Sequence, residues 1–270
     1  MTSKQLLIKI NTMLINPFTK LHHYYILRKH PIQSSLWENS VNKLALVNNL
    51  PTKELRQLKK LATLLLYNKN FVGAQGLVLS EEHKLIIAIQ ACLPILKLDL
   101  SYYDGWYDIV VYPDTFVVYR DITDSNGLVH NSRRTLSGEA WSRGPVILSW
   151  SDVQLDSFKL REGHNVVIHE FSHKLDMLNG RANGMPPLHP NMHRQEWTKS
   201  LSTAYERLKN QYAQFQHAHI NEYAATNPAE YFAVVSEYFF TAPLVLKQHS
   251  PAVYSQLVLF YKQEPLGHLN

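Results

Sequence analysis

Residues 166–180 read VVIHEFSHKLDMLNG, and this stretch limits the fold more than any other in the chain. His169 and His173 are four residues apart, so on a helix they share one face about one turn apart and both imidazoles can reach one ion. Val166, Val167, Ile168, Phe171 and Leu175 make most of the remaining surface apolar, so the helix belongs inside a core. Two buried histidines without partners would cost on the order of several kcal/mol if charged. Neutral histidines bonded to backbone carbonyls are one solution. A hydrolytic zinc site, with Glu170 following the first histidine, is the other, and it needs a third protein ligand.

The surroundings of that helix fit an α+β fold. Thr52 opens a helical pattern with Leu55, Leu58, Leu61, Ala62 and Leu65 on one face. Ser80, followed by two glutamates, caps a second helix carrying Leu85, Ile86, Ile89 and Cys92. The middle changes to β-branched and aromatic runs, YDIVVYP, FVVYR and GPVILSW, which predict a small sheet. From Gly163 the chain is helical again. The histidine helix should stop at Asn179-Gly180, an amphipathic helix should cover about 191–215, and further helices should open at Asn227-Pro228 and Ser250-Pro251. Helices, then strands, then helices imply a mainly helical α+β domain with a small central sheet rather than an alternating parallel one.

Composition narrows the function classes. At 270 residues and 45% hydrophobic, the chain can bury a sizeable core. Its single cysteine, Cys92, excludes an internal disulfide or a cysteine-rich metal cluster and suits a reducing compartment, as a small buried residue on a helix face. No run of about 18 uncharged apolar residues supports a membrane span. The start, MTSKQLLIKINTMLI, is faintly signal-like, but Lys9 interrupts it and no small-residue cleavage site follows, so the expectation is a soluble cytoplasmic protein. The formal net charge of +5 sits in the first quarter, where residues 1–70 carry 11 Lys/Arg against Glu38 and Glu54. The expected organisation is a basic leader of residues 1–35, partly disordered, ahead of one domain over 36–270. Tyr24-Tyr25 and the neighbouring lysines form no nucleic-acid-binding motif, and the remaining charge is slightly acidic, which argues against a nucleic-acid partner.

Elimination narrows the third ligand to two acids. Asp176 and Asn179 stand where a metzincin needs Gly and His. His189 and His193 repeat the four-residue spacing inside PPLHPNMH, whose prolines forbid a regular helix. Glu196 and Glu206 lie on the face opposite Trp197, Leu201 and Leu208, a solvated one. Glu230 and Glu237, by contrast, are the only acidic or basic side chains between Pro228 and Leu246, on one face of a very apolar helix, and acids there need a compensating charge. Asn227-Pro228-Ala229-Glu230 is also a capping-box spacing, so spacing alone leaves the two acids equal.

VVIHEFSHKLDMLNG taken with YAATNPAEYFAVVSEYFF resembles the Mlc titration factor A family of zinc metallopeptidases. ACLPILKLDL, DGWYDIVVYPDTFVV, GLVHN and GPVILSW extend the resemblance over roughly residues 36–268. It implies a gluzincin-like peptidase of aminopeptidase type acting on peptides. It also implies one zinc ion held by His169, His173 and Glu230, with Glu170 as catalytic base and Tyr223 as an active-site hydroxyl. The family takes its name from binding Mlc, a repressor of glucose-uptake genes, so a repressor partner is implied too. A regulator that titrates a transcription factor, with a structural or vestigial metal site, is the alternative. The chain departs from thermolysin-like gluzincins at Val234, where their third-ligand helix carries Asp.

Within this reading Glu170 would take the proton of a zinc-activated water and Tyr223 would donate to the oxyanion. Helical side chains lean towards the N-terminus, so Asp176 can approach His173 and orient it. Glu237 is a second candidate for such support. GPVILSW, ahead of the histidine helix, is the expected edge strand for extended substrate.

Overall fold

The computed structural model describes residues 17–123, 129–136, 138–140 and 144–267. Helix α1 (Pro17–Lys29) lies within the expected leader, yet its Ile26 is fully buried and its His30 flank meets Tyr67 of α3, ring centroids 4.9 Å apart. Helix α2 (Ser34–Lys43) and α3 (Thr52–Asn68) follow, α3 burying Leu58, Leu61, Ala62 and Leu65 as their spacing predicts. Helix α4 (Glu81–Cys92) is capped by Ser80, whose Oγ accepts from His83 N at 3.1 Å, and Cys92 is buried on it. None of the described helices is long and apolar enough to cross a membrane.

The strands are β1 (Asn70–Gly73), β2 (Asp108–Tyr112), β3 (Phe116–Thr123), β4 (Val129–Leu136), β5 (Gly138–Ala140) and β6 (Val146–Ser149). β3 and β4 pair only with each other, antiparallel, with Phe116 opposite Leu136. The main sheet has the order β1-β2-β6-β5. β1, β2 and β6 are parallel and β5 runs antiparallel to β6. The mainly helical α+β class holds, but the small sheet is parallel at its centre. Its hidden member is β1, four residues directly after a long helix, too short to show alternation. With β1 in place, α4 lies in the long crossover that parallel neighbours require.

The expected edge strand is corrected. GPVILSW supplies β6, which is bonded on both sides, by β2 and by β5, and helix α5 (Trp150–Phe158) separates it from the histidine helix. Its run Val146-Ile147-Leu148 is continuously apolar because an interior strand is covered on both faces.

Helix α6 (Val166–Asp176) is buried along its whole length and ends in a 3-10 turn to Asn179, with Gly180 at φ 143° beyond it. Helix α7 (Arg194–Ala213) buries Trp197, Leu201 and Leu208. Helix α8 (Pro228–Thr241) packs along α6, and α9 (Pro243–His249) and α10 (Pro251–Tyr261) close the far side. Phe171 of α6 meets the rings of Tyr103 and Trp106 at 5.0 and 5.7 Å, edge to face. Trp197, Phe232 and Phe260 form a second ring cluster on the opposite flank. The histidine helix is thus the central rod of the core, and its polar face is fixed by packing on every other side.

Candidate metal centre

Helix α6 starts where the backbone and two side chains pin it. Asn165 caps it, its Oδ1 accepting from Ile168 N at 2.9 Å, and Asp156 Oδ2 accepts from Val166 N at 3.0 Å. From that anchor His169 and His173 project on one face, their Nε2 atoms 3.2 Å apart. Helix α8 lies alongside and presents Glu230, whose Oε2 is 3.0 Å from His169 Nε2 and 3.2 Å from His173 Nε2. The three residues form a set that could hold a metal ion.

The two acids left equal by spacing take opposite edges of one imidazole. Glu230 faces Nε2 of His169, while Glu237 Oε1 is 2.7 Å from Nδ1 of the same ring. Two turns separate the acids along α8, and that rise carries Glu237 past the ring to its far side. The capping reading of Glu230 does not describe its carboxylate. Asn227 caps α8 through Ala229 N and Glu230 N, and the Glu230 side chain is turned to the histidines.

Does this constellation fit a cation? Glu170, Glu237 and both histidines are buried, and Glu230 is nearly so. Among the described residues the ionic partners of Glu230 and Glu237 are the two histidines alone. Glu170 Oε2 is buried with no hydrogen-bond partner. Burial pushes the Glu170 carboxyl up to about 7, against the pull of the histidines. Burial likewise opposes charge on His169, but Glu237 and Glu230 outweigh it and hold the imidazole well above its ordinary value. Burial raises Glu230 too, and the hydrogen bonds from both histidines overcome it, leaving the carboxyl well below the usual range. Three carboxylates around two imidazoles make a site that wants positive charge. Donors bound at about 2.0–2.1 Å to a tetrahedral ion sit roughly 3.3 Å from one another, close to the separations here. The donor set fits.

Asp176 is fully buried at the end of α6. Its Oδ2 accepts from Asn183 N and Gly184 N, each at 2.7 Å, while Oδ1 has no partner. Nδ1 of His173, one turn back, has none either. Tyr223, on the 3-10 turn Glu222–Ala225, is 44% exposed with its ring centroid 5.8 Å from that of His169. His189 and His193 lie outside the site. His189 bonds the carbonyl of Phe260 at 2.7 Å and His193 is the loop residue directly before α7, as the prolines around them required.

The profile of the glucose-regulated metallo-peptidase M90 family matches residues 18–262. The chain belongs to that family. Mlc titration factor A of Yersinia pestis (strain Pestoides F) and of Yersinia pseudotuberculosis serotype O:1b (strain IP 31758) are each 39% identical to it over 236 residues, 86% of this chain and 86% of theirs. The M90 match begins inside α1, ahead of the residue near 36 where the resemblance was read to start.

One part of this M90 site lies beyond the sequence reading. Asn165 N donates to Glu237 Oε2 at 2.6 Å, and Asn165 Nδ2 donates to Gln90 Oε1 at 2.7 Å. Gln90 Nε2 in turn donates to Ser157 Oγ at 2.8 Å. This buried chain runs from α5 through α4 to the ring of His169. The signal was present as a lone amide in IIAIQAC, since a buried glutamine must find partners.

Proposed function

We propose that the protein is a zinc-dependent peptidase of aminopeptidase type, acting in the cytoplasm. One observation carries the reading: His169, His173 and Glu230 converge beside a buried, unsatisfied Glu170 oxygen. Two imidazoles and one carboxylate are a zinc donor set that leaves a coordination position open. Zinc held there would supply Lewis acidity, lowering the pKa of a water towards about 7 and polarising the scissile carbonyl.

The chain's own residues do the rest. Glu170 takes the proton of the attacking water and returns it to the leaving amine, the work of a carboxyl whose burial keeps its proton affinity near neutrality. Tyr223, on the exposed side of the His169 ring, donates to the developing oxyanion. Glu237 accepts from Nδ1 of His169 and so leaves the Nε2 lone pair for the ion. Asp176, one turn beyond His173, would support that ring through its charge, its Oδ1 and the ring's Nδ1 both being unpaired. An extended peptide would add to β5, the sheet edge packed against α6.

The test is turnover of peptides with free and with acetylated N-termini, on zinc-loaded protein. Preference for the free amine supports the aminopeptidase reading, and cleavage of both alike would make the enzyme an endopeptidase. Glu170→Gln should abolish turnover while zinc stays bound, and a variant that still turns over would remove Glu170 as the base.

The name of the Yersinia relatives favours a second reading, in which this chain binds a transcriptional repressor. Capture of purified Mlc by both the wild type and the Glu170→Gln variant would support it, and the two activities are compatible.

A further inference from the structure

On the flank away from the metal centre, the second half of α7 faces the turn before residue 220 and the α9–α10 junction. Between them is a pocket of about 140 Å³ lined by Arg207, His219, Tyr231, His249 and Ser250, among others. Arg207 Nη2 donates to the carbonyl of His249 and, at 3.0 Å, to Ser250 Oγ. Both partners are neutral, and among the described residues no carboxylate pairs with this guanidinium. Both bonds use one nitrogen, so the donors on Nε and Nη1 remain.

The imidazoles beside it are also crowded. His219 stacks on His249 with centroids 3.6 Å apart and 14° between planes, and His217 meets His219 edge-on at 4.6 Å. Partial desolvation, and then His249 and His217, hold the His219 imidazole below its ordinary value. Among the described residues, the other ionisable groups on the surrounding elements do not pair with Arg207. Glu206 and Lys209 of α7 pair with each other at 3.3 Å. Lys247 of α9 lies over the Tyr254 ring, Tyr212 donates to the carbonyl of Ile220, and burial raises the Tyr231 hydroxyl. A guanidinium and stacked imidazoles around one small cavity are matched by an anion from outside.

We propose that this pocket binds the phosphate group of a small polar phosphomonoester, with Arg207 as its cationic partner and the rings of His219 and His249 as hydrogen-bond donors beside it. The volume suits an ion-sized group, since pockets for drug-sized ligands run from about 300 Å³ upwards. The remainder of the ligand lies in the open groove of about 700 Å³ that shares Arg207 and Gln211 with the pocket. Besides those two, that groove is lined by Ser202, Thr203, Asn210 and Gln216, hydroxyls and amides suited to a hydroxyl-bearing molecule, and by Glu206, which is paired with Lys209. The site is separate from the metal centre and does not rest on the peptidase reading.

Calorimetry on the full chain with inorganic phosphate, glycerol 3-phosphate and sulfate tests it, with sodium chloride at matched ionic strength and free glycerol as controls. The expected result is saturable binding of all three anions, glycerol 3-phosphate tightest, and no heat from the controls. Arg207→Gln should weaken binding at least about tenfold, the scale for losing a charge-assisted pair. His219→Ala, at an exposed position, should weaken it without disturbing the fold. Chloride heats equal to those of phosphate, or wild-type affinity in both variants, would overturn the site. Equal affinity for phosphate and glycerol 3-phosphate would overturn the groove's part in it.

Discussion

Glu237 lies 2.7 Å from Nδ1 of His169, on the opposite edge of the ring from Glu230, which stands 3.0 Å from Nε2. The two acids therefore have different duties although they share a helix face. Removing Glu230 takes away a donor from the metal set, whereas removing Glu237 frees the ring that presents one. Glu237→Gln should lower zinc affinity about 10- to 100-fold, the usual range for a group that orients a ligand. Glu230→Ala should lower it further. Competition against a zinc-binding dye measures both, and the reverse order would exchange their roles.

Asp176 gives a second test of support for the site. Its Oδ2 already accepts two backbone N–H groups, while its Oδ1 and Nδ1 of His173, one turn back, are each buried without a partner. Asp176→Asn removes the carboxylate charge near His173 and can leave the 183–184 turn facing an NH₂ group instead of its acceptor. We expect about tenfold weaker zinc binding together with a stability loss of about 1–3 kcal/mol. A stability loss with unchanged zinc affinity would reduce Asp176 to an anchor for the loop.

Much of this site is legible in the residue order because α6 and α8 are regular. A four-residue step places His169 and His173 together, and the absence of other acidic or basic groups near Glu230 and Glu237 marks both acids as buried and in need of charge. What spacing lacks is the offset between the two helices, and that offset decides which acid meets Nε2. The edge strand is misread for a related reason. Val146–Ser149 reads as a strand from its own residues, but its neighbours are Asp108–Tyr112 and Gly138–Ala140, and pairing is a property of the assembled sheet. Gln90 is local enough to be seen and remote enough that its partners, 67 and 75 residues away, are not.

The turn that Asp176 holds also braces the helix of Glu230. Gly184 sits at φ +77°, and a Cβ there would come within 2.6 Å of the carbonyl oxygen of Pro228, the first residue of α8. Its own carbonyl accepts from Trp197 Nε1 at 2.9 Å, which leaves the turn no room to retreat. Gly184→Ala should destabilise the protein by about 1–3 kcal/mol from the backbone alone. Because Pro228 begins the turn that carries Glu230, zinc affinity should fall as well. Thermal unfolding and the dye competition report the two effects separately, and unchanged zinc affinity in a destabilised variant would show that α8 is positioned elsewhere.

A buried lysine on the other side of the core predicts how stability changes with pH. Lys69 Nζ donates to the carbonyls of Tyr103 and Trp106 and lies 3.9 Å from the Trp106 ring centroid, with Lys174 of α6 at 4.5 Å from the same ring. Burial lowers the Lys69 ammonium to about 8, and Lys174 reaches the same value through burial first and Lys69 second. The ordinary value is 10.5, so between about pH 8 and 10.5 the unfolded chain holds protons that the folded one has released. Stability from these groups is then fully present above 10.5 and is lost as pH falls through 8. Chemical unfolding at pH 7.5 and 9.5 should therefore show the wild type firmer at the higher pH. In Lys69→Met that difference should shrink, since one group leaves the balance and Lys174 loses its cationic neighbour. A difference as large as the wild type's would mean that the two carbonyls keep Lys69 charged throughout.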